Sequence, residues 1–96
     1  PKVRPNTRHA WHQYCLSTKY PNQLVEHLDQ YAIDARRYYQ IPCHKQQLFA
    51  EHPQHQVELT NTNHLAKSLV AIPVMHELKD SEIERIISAV NSFNPV

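Results

Sequence analysis

The chain contains no glycine, although average usage of about 7% would place roughly seven in a chain of this size. That absence excludes the glycine-rich phosphate cradles, both the dinucleotide fingerprint and the P-loop, because their turns are built on glycine. It also hands any turn with positive φ to asparagine or aspartate, with Asn6, Asn22, Asn61 and Asn63 as candidates. Cysteine is scarce: Cys15 and Cys43 are the only two, and no secretory segment precedes them. A disulfide framework is not expected, and a reduced, cytoplasmic setting is. No apolar run approaches the roughly 20 residues that cross a bilayer, so no membrane partner is expected. The formal net charge of +1 supplies no basic field of the kind that dominates nucleic-acid binding. There is no initiating methionine either; the chain opens on Pro1, which is not expected to be the natural start.

What remains is an ordinary globular balance, with 41% hydrophobic and 20% charged residues, suited to one small domain over residues 1–96. Residues 1–7 carry two prolines and read as an extended lead-in. The stretch from His9 to Thr18, HAWHQYCLST, is rich in strand-favouring residues and predicts a strand, although His12 interrupts its alternation. After a turn at Lys19–Asn22, with Asn22 as N-cap, Leu24, Leu28 and Tyr31 fall at i, i+4 and i+7 and predict a helix to about Tyr31. A second strand is predicted over Ala35–Tyr39, and a short helical turn over Gln46–Glu51. A polar loop follows over His52–Glu58. Thr60 or Asn61 caps a helix through Leu65, Ala66, Leu69 and Val70. Ala71–Val74 is short and apolar and reads as a third strand, in which Pro73 suits either an edge strand or a strand end. Ile83, Ile86, Ile87 and Val90 mark a final helix with Asp80, Glu82 and Glu84 near its start, favourable at the positive end of the helix dipole. The expected fold is therefore α/β in the two-layer α+β sense: a small, mainly antiparallel sheet with helices packed on one face.

Eight histidines invite a metal reading, but no Cys-x2-Cys or His-Glu-x-x-His spacing is present. His9 and His12 would also leave a strand on opposite faces. No metal is expected. Cys43-His44 is no catalytic pair by adjacency alone, and Cys43 reads as a small core-facing residue. The segment RRYYQIPCHKQ, Arg36 to Gln46, is harder to dismiss. Two guanidinium groups, two phenols and an imidazole cluster at the end of a predicted strand. Alternation puts Arg37 and Tyr39 on one face and Arg36 and Tyr38 on the other.

Extended to Phe49, that segment resembles the T-R-x-Y-Y-P-I-P-x-H-x-Q-P-x-F stretch of the DegT/DnrJ/StrS-type sugar aminotransferases. Arg36, Tyr38, Tyr39, Ile41, Pro42, His44, Gln46 and Phe49 stand at matching places. HAWHQY, from His9 to Tyr14, is similar to the family's H-x-x-H-Q-Y strand, and Asn22 to Leu28 to its R-x-x-L-x-x-x-L helix. Leu69 to Leu78 resembles L-x-S-L-P-M-H-P-E-L, and Lys79 to Val90 resembles T-D-E-E-I-x-x-V-I-x-A-V. These blocks thus stand in register from about Arg8 to Val90. The chain departs from the pattern at Ala32, where the family has glycine, and at Ala35, where it has threonine. Gln40 and Gln47 replace prolines, and Met75-His76 replaces His-Pro.

The resemblance implies the small C-terminal domain of a fold-type-I enzyme that uses pyridoxal 5'-phosphate (PLP). Its large cofactor-binding domain would lie elsewhere in the same polypeptide, and the parent enzyme would be a homodimer. The implied substrate is a nucleotide-linked keto sugar, with a glutamate-type amino donor. The Schiff-base lysine is not expected in this chain, since Lys2, Lys19, Lys45, Lys67 and Lys79 stand in no matching context. No catalytic residue and no bound cofactor are therefore expected here. The residues expected to contact substrate are Tyr39 and His44 by hydrogen bonding and Arg36 by its planar fork; they position substrate and transfer no proton. The alternative is a stand-alone α/β interaction or regulatory module without catalysis.

Overall fold

The computed structural model describes residues 2–96; Pro1, the first residue of the expected lead-in, lies outside them. The elements run β1 (Tyr14–Ser17), α1 (Pro21–Gln30), α2 (Thr60–Ser68), β2 (Leu69–Ile72) and α3 (Asp80–Asn91). Three single 3-10 turns at Cys43–Lys45, Gln47–Phe49 and Pro53–Gln56 fill the long connection between α1 and α2. This is the expected small α+β arrangement. β1 and β2 pair antiparallel, with Tyr14 opposite Ile72 and Leu16 opposite Val70. Because side chains alternate along a strand, Tyr14, Leu16, Val70 and Ile72 share one sheet face. α1 and α3 pack against it: Leu24 and Leu28 from α1, Ile86 and Ala89 from α3, and Val70 from β2 form the core with Ile33 and Ala35. Leu28 and Val70 are the largest fully enclosed side chains.

Three expected boundaries move. The first strand covers only Tyr14–Ser17. Upstream, Trp11 has φ 49° and its N–H donates to Nδ1 of His9 (2.8 Å), so the chain turns where extension was predicted. The argument that placed His9 and His12 on opposite strand faces therefore lapses. The second predicted strand contributes one bridge, Arg36 to Ala71, with backbone bonds of 2.9 and 2.7 Å. Leu69 and Val70, predicted in a helix, instead open β2. Their apolar side chains satisfy either periodicity, and pairing with Leu16 and Ser17 decides the matter.

The helix ends also differ. Asn22 does not cap α1, which starts one residue earlier with Pro21 in its first turn, a place where a missing N–H costs no helix bond. Neither Thr60 nor Asn61 caps α2; the N-cap position is Leu59. At α3 the backbone N–H of Lys79 donates to the Glu82 carboxylate (2.8 Å), one half of a capping box. Asn61 and Asn63 lie within α2 and Asn22 within α1. Of the four asparagines nominated for positive φ only Asn6 (58°) adopts it, joined by Trp11 and by Ala32 at 54°. Ala32 follows α1. Its N–H bonds the Asp29 carbonyl (2.9 Å) and the Ile33 N–H bonds the Leu28 carbonyl (3.1 Å), the two bonds of a Schellman motif. Leu28 and Ile33, both buried, supply its hydrophobic contact.

A bond between helices was not foreseen. Nε2 of His27 donates to the Ala89 carbonyl (2.9 Å), which also accepts from the Ser92 hydroxyl (3.0 Å). This ties the ends of α1 and α3 together, with the Phe93 ring 5.4 Å from the imidazole. The whole is thin. Its extents are 49 × 41 × 20 Å and its radius of gyration is 16.1 Å, against roughly 12.5 Å for a compact chain of this length.

Candidate functional site

After the single bridge at Arg36 the backbone leaves the sheet, and the alternation expected for Arg36–Tyr39 ends with it. Arg37 turns toward the helices, where its two terminal nitrogens donate to Oδ1 of Asn22 (2.9 Å) and to the Ala66 carbonyl (2.9 Å). One planar fork thereby joins the start of α1 to the last turn of α2. Tyr38 and Tyr39, expected on opposite faces, instead have ring centroids 5.3 Å apart and line the same cleft.

That cleft holds about 430 Å³ and is walled by Tyr38, Tyr39, Ile41 and Pro42 on one side and Leu65 and Leu69 on the other, with Gln46 and Thr62 among its polar groups. Tyr39 is 69% exposed, so its ring and hydroxyl are free to meet a ligand. Cys43 also lines the cleft and is exposed. This corrects its expected core position: the 3-10 turn at Cys43–Lys45 carries its backbone along the surface, not beneath it.

The three residues expected to contact substrate do not converge. Tyr39 lies in the aromatic cleft. Arg36 lines a neighbouring depression of about 270 Å³ with Asp34, His12, Gln13 and Met75; Tyr38 borders both. The Arg36 guanidinium is already engaged, donating to both carboxylate oxygens of Asp34 at 2.8 and 2.9 Å. That hydrogen bonding holds the Asp34 carboxyl below its usual range and raises the guanidinium pKa. His44 lines neither depression. It is half-buried, and its Nε2 is enclosed without a hydrogen-bond partner. Beside it, Lys45 donates to the His55 carbonyl (2.7 Å), drawing two of the 3-10 turns together. Among the described residues no three His, Cys, Asp or Glu side chains gather as metal ligands, and no helix is long and apolar enough to cross a membrane.

The sequence model of the DegT/DnrJ/EryC1/StrS aminotransferase family matches residues 1–91. The chain belongs to this family. Among curated relatives it is 27% identical to a dTDP-3-amino-3,6-dideoxy-alpha-D-galactopyranose transaminase of Aneurinibacillus thermoaerophilus, covering 97% of this chain and 25% of that protein. It is 26% identical to a dTDP-3-amino-3,4,6-trideoxy-alpha-D-glucose transaminase of Streptomyces venezuelae, over 97% and 24% respectively. It is also 28% identical to a UDP-N-acetyl-3-dehydro-alpha-D-glucosamine 3-aminotransferase of Acidithiobacillus ferrooxidans, over 94% and 24%. The chain thus spans about a quarter of the length of these relatives.

Enzymes of this aminotransferase family depend in general on PLP, a cofactor that needs a lysine for its aldehyde and an acidic partner for its ring nitrogen. The aromatic cleft is lined by neither a lysine nor a carboxylate, and Lys45 is spent on His55. The residues that line this cleft do not assemble a site for that group.

Proposed function

We propose that this chain is the C-terminal small domain of a PLP-dependent aminotransferase that acts on a nucleotide-linked keto sugar with a glutamate-type amino donor. In that reading it closes over an active site whose cofactor-bearing wall belongs to a large domain of the same polypeptide, within a homodimer. The observation that carries the reading is the aromatic cleft. It places Tyr38 and Tyr39 at the surface in a family of sugar aminotransferases, yet contains none of the groups that would perform the chemistry.

The domain's work is then positional. An aromatic wall can pack against an apolar sugar face while phenol hydroxyls bond ring substituents. Holding a reactant in register lowers the barrier without any proton transfer. Tyr39 meets this need directly. Arg36 meets it by exchanging Asp34 for an anionic group of the substrate, and His44 by a movement of its 3-10 turn that uncovers the enclosed, unpartnered Nε2. The thinness of the chain and the exposure of Tyr39, Ile41 and Leu65 agree with a body covered by more protein.

Two measurements test this. The 96-residue chain incubated with PLP and dialysed should retain no visible cofactor absorbance and transfer no amino group from glutamate; turnover by the chain alone overturns the reading. In the full-length protein, Tyr39→Ala should raise KM for a dTDP- or UDP-linked keto sugar about tenfold while KM for glutamate holds. Equal effects on both substrates, or on neither, would argue against a substrate-facing wall.

A further inference from the structure

A second depression, apart from the aromatic cleft, is lined by residues whose side chains each carry a hydrogen-bond donor. It holds about 430 Å³ and is lined by Ser17, Thr18, Lys19, His64, Lys67 and Ser68. Three elements meet there: the end of β1, the turn into α1, and the last turn of α2. The Thr18 N–H bond to the Ser68 carbonyl (3.0 Å) fixes that junction. His64 and Lys67, three apart on α2, project from one side of the helix, and Lys19 enters from the β1–α1 turn.

The electrostatics are one-sided. No carboxylate lines the depression. Among the described residues neither lysine forms an ion pair, the two salt bridges being Arg36–Asp34 and His76–Glu77. Thr18 Oγ1 accepts from the Tyr20 N–H (3.1 Å), which leaves its own proton to donate. Ser68 is the decisive residue. It is 7% exposed, the one buried polar residue among those described, and its hydroxyl has no partner. A buried hydroxyl without a partner is uncommon because it forfeits its hydrogen bonds to water, and such a group calls for a partner that this chain alone does not supply.

We propose that this depression binds an oxyanion of the phosphate class. Two ammonium groups balance a dianion, and the Thr18 and Ser68 hydroxyls donate to oxygens that a tetrahedral group presents on several sides. A carboxylate, with one charge and two oxygens, leaves part of this donor set unused. The phosphate comes either from free inorganic phosphate or from a phosphoryl group of a larger metabolite. The proposal is independent of the aminotransferase reading, since it invokes neither the aromatic cleft nor the cofactor.

Calorimetric titration of the full-length protein with inorganic phosphate, acetate and a nucleoside diphosphate at fixed ionic strength tests it. Because an aminotransferase would hold phosphate elsewhere too, the deciding quantity is the difference between wild type and Lys19→Ala/Lys67→Ala. Wild type should show one phosphate site that the double variant lacks, with each single variant raising its Kd about tenfold, acetate at least tenfold weaker, and Lys2→Ala unchanged. Tighter binding of the nucleoside diphosphate, lost in the same variant, assigns the site to a phosphorylated metabolite; equal binding assigns it to free phosphate. Identical phosphate isotherms for wild type and double variant overturn the proposal. Exposed lysine substitutions leave the core intact, so that outcome cannot be blamed on unfolding. Ser68→Ala gives a second reading: it should weaken phosphate binding without lowering thermal stability in phosphate-free buffer, whereas unchanged binding would remove Ser68 from the site.

Discussion

Ala32 sits in the left-handed region, φ 54°, at the residue that ends α1. The Schellman bonds from Ala32 to Asp29 and from Ile33 to Leu28 require that backbone shape, so the side chain bears its cost. A Cβ there crowds the following carbonyl oxygen by about 1–2 kcal/mol relative to glycine. Ala32→Gly relieves that crowding but gives the unfolded chain more freedom, which returns about 0.4–1 kcal/mol. The balance favours the variant by roughly 0.5–1 kcal/mol. Amide hydrogen exchange in the full-length protein reads this locally, because protection follows the free energy of opening. The Ile33 amide, donor to the Leu28 carbonyl, should exchange about two- to fivefold more slowly in Ala32→Gly, with amides of α2 unchanged. Ala32→Val should do the reverse, since a branched side chain fits this region worst. Faster exchange at Ile33 in the glycine variant would refute the reasoning, since it would mean that Ala32 carries no left-handed penalty.

Truncating Leu28, which is fully enclosed, to alanine should cost about 3–4 kcal/mol and strip exchange protection from α1 and α3 together. Unequal loss would show that the two helices do not share one core. Arg37→Ala removes both bonds that join Asn22 to Ala66 and should destabilise the junction by about 1–2 kcal/mol, whereas Arg37→Lys can restore only one of them; equal thermal shifts for the two variants would deny the fork its bridging role. The Asp34 carboxyl, followed by NMR, should titrate below the ordinary carboxylate range and return to it in Arg36→Ala. Since the native pKa is the depressed one, the pair's contribution to stability is present above the ordinary carboxylate pKa and disappears as pH falls through the native value. His27→Phe keeps the aromatic contact with Phe93 but loses the donor to Ala89; a melting temperature equal to wild type would show that the bond adds nothing to the ring packing.

Periodicity located α1 and α3 because their apolar spacing belongs to helices alone. It could not divide Leu69 and Val70 between helix and strand, since a short apolar run satisfies both patterns; only the partner strand settles that. The Arg36–Tyr39 segment failed differently. Its composition favours a strand, yet after Arg36 the fork of Arg37 bonds two helices, an interaction between residues 15 and 29 positions apart that no local pattern encodes. The family resemblance nominated Arg36, Tyr39 and His44 together, but their side chains do not meet in one pocket. Asp34, which occupies Arg36, gave no signal beyond being a carboxylate two residues away. Ala32 was legible in hindsight, as the position where the family pattern carries glycine.

The final helix shows most clearly why so much apolar surface stays open. The predicted stripe of Ile83, Ile86, Ile87 and Val90 is wider than the core it meets: Ile86 and Ala89 are buried, while Ile83 and Ile87 remain 41% and 46% exposed. These two line a groove of about 350 Å³ with Tyr14, Leu16, Ile72 and Val74. The groove is largely aliphatic but carries the Tyr14 phenol and the Asn91 amide, while the aromatic cleft carries two phenols with Gln46 and Thr62. What separates the two concavities is therefore ring surface, two adjoining phenol rings in one and a single phenol among branched aliphatic side chains in the other, and not how polar they are.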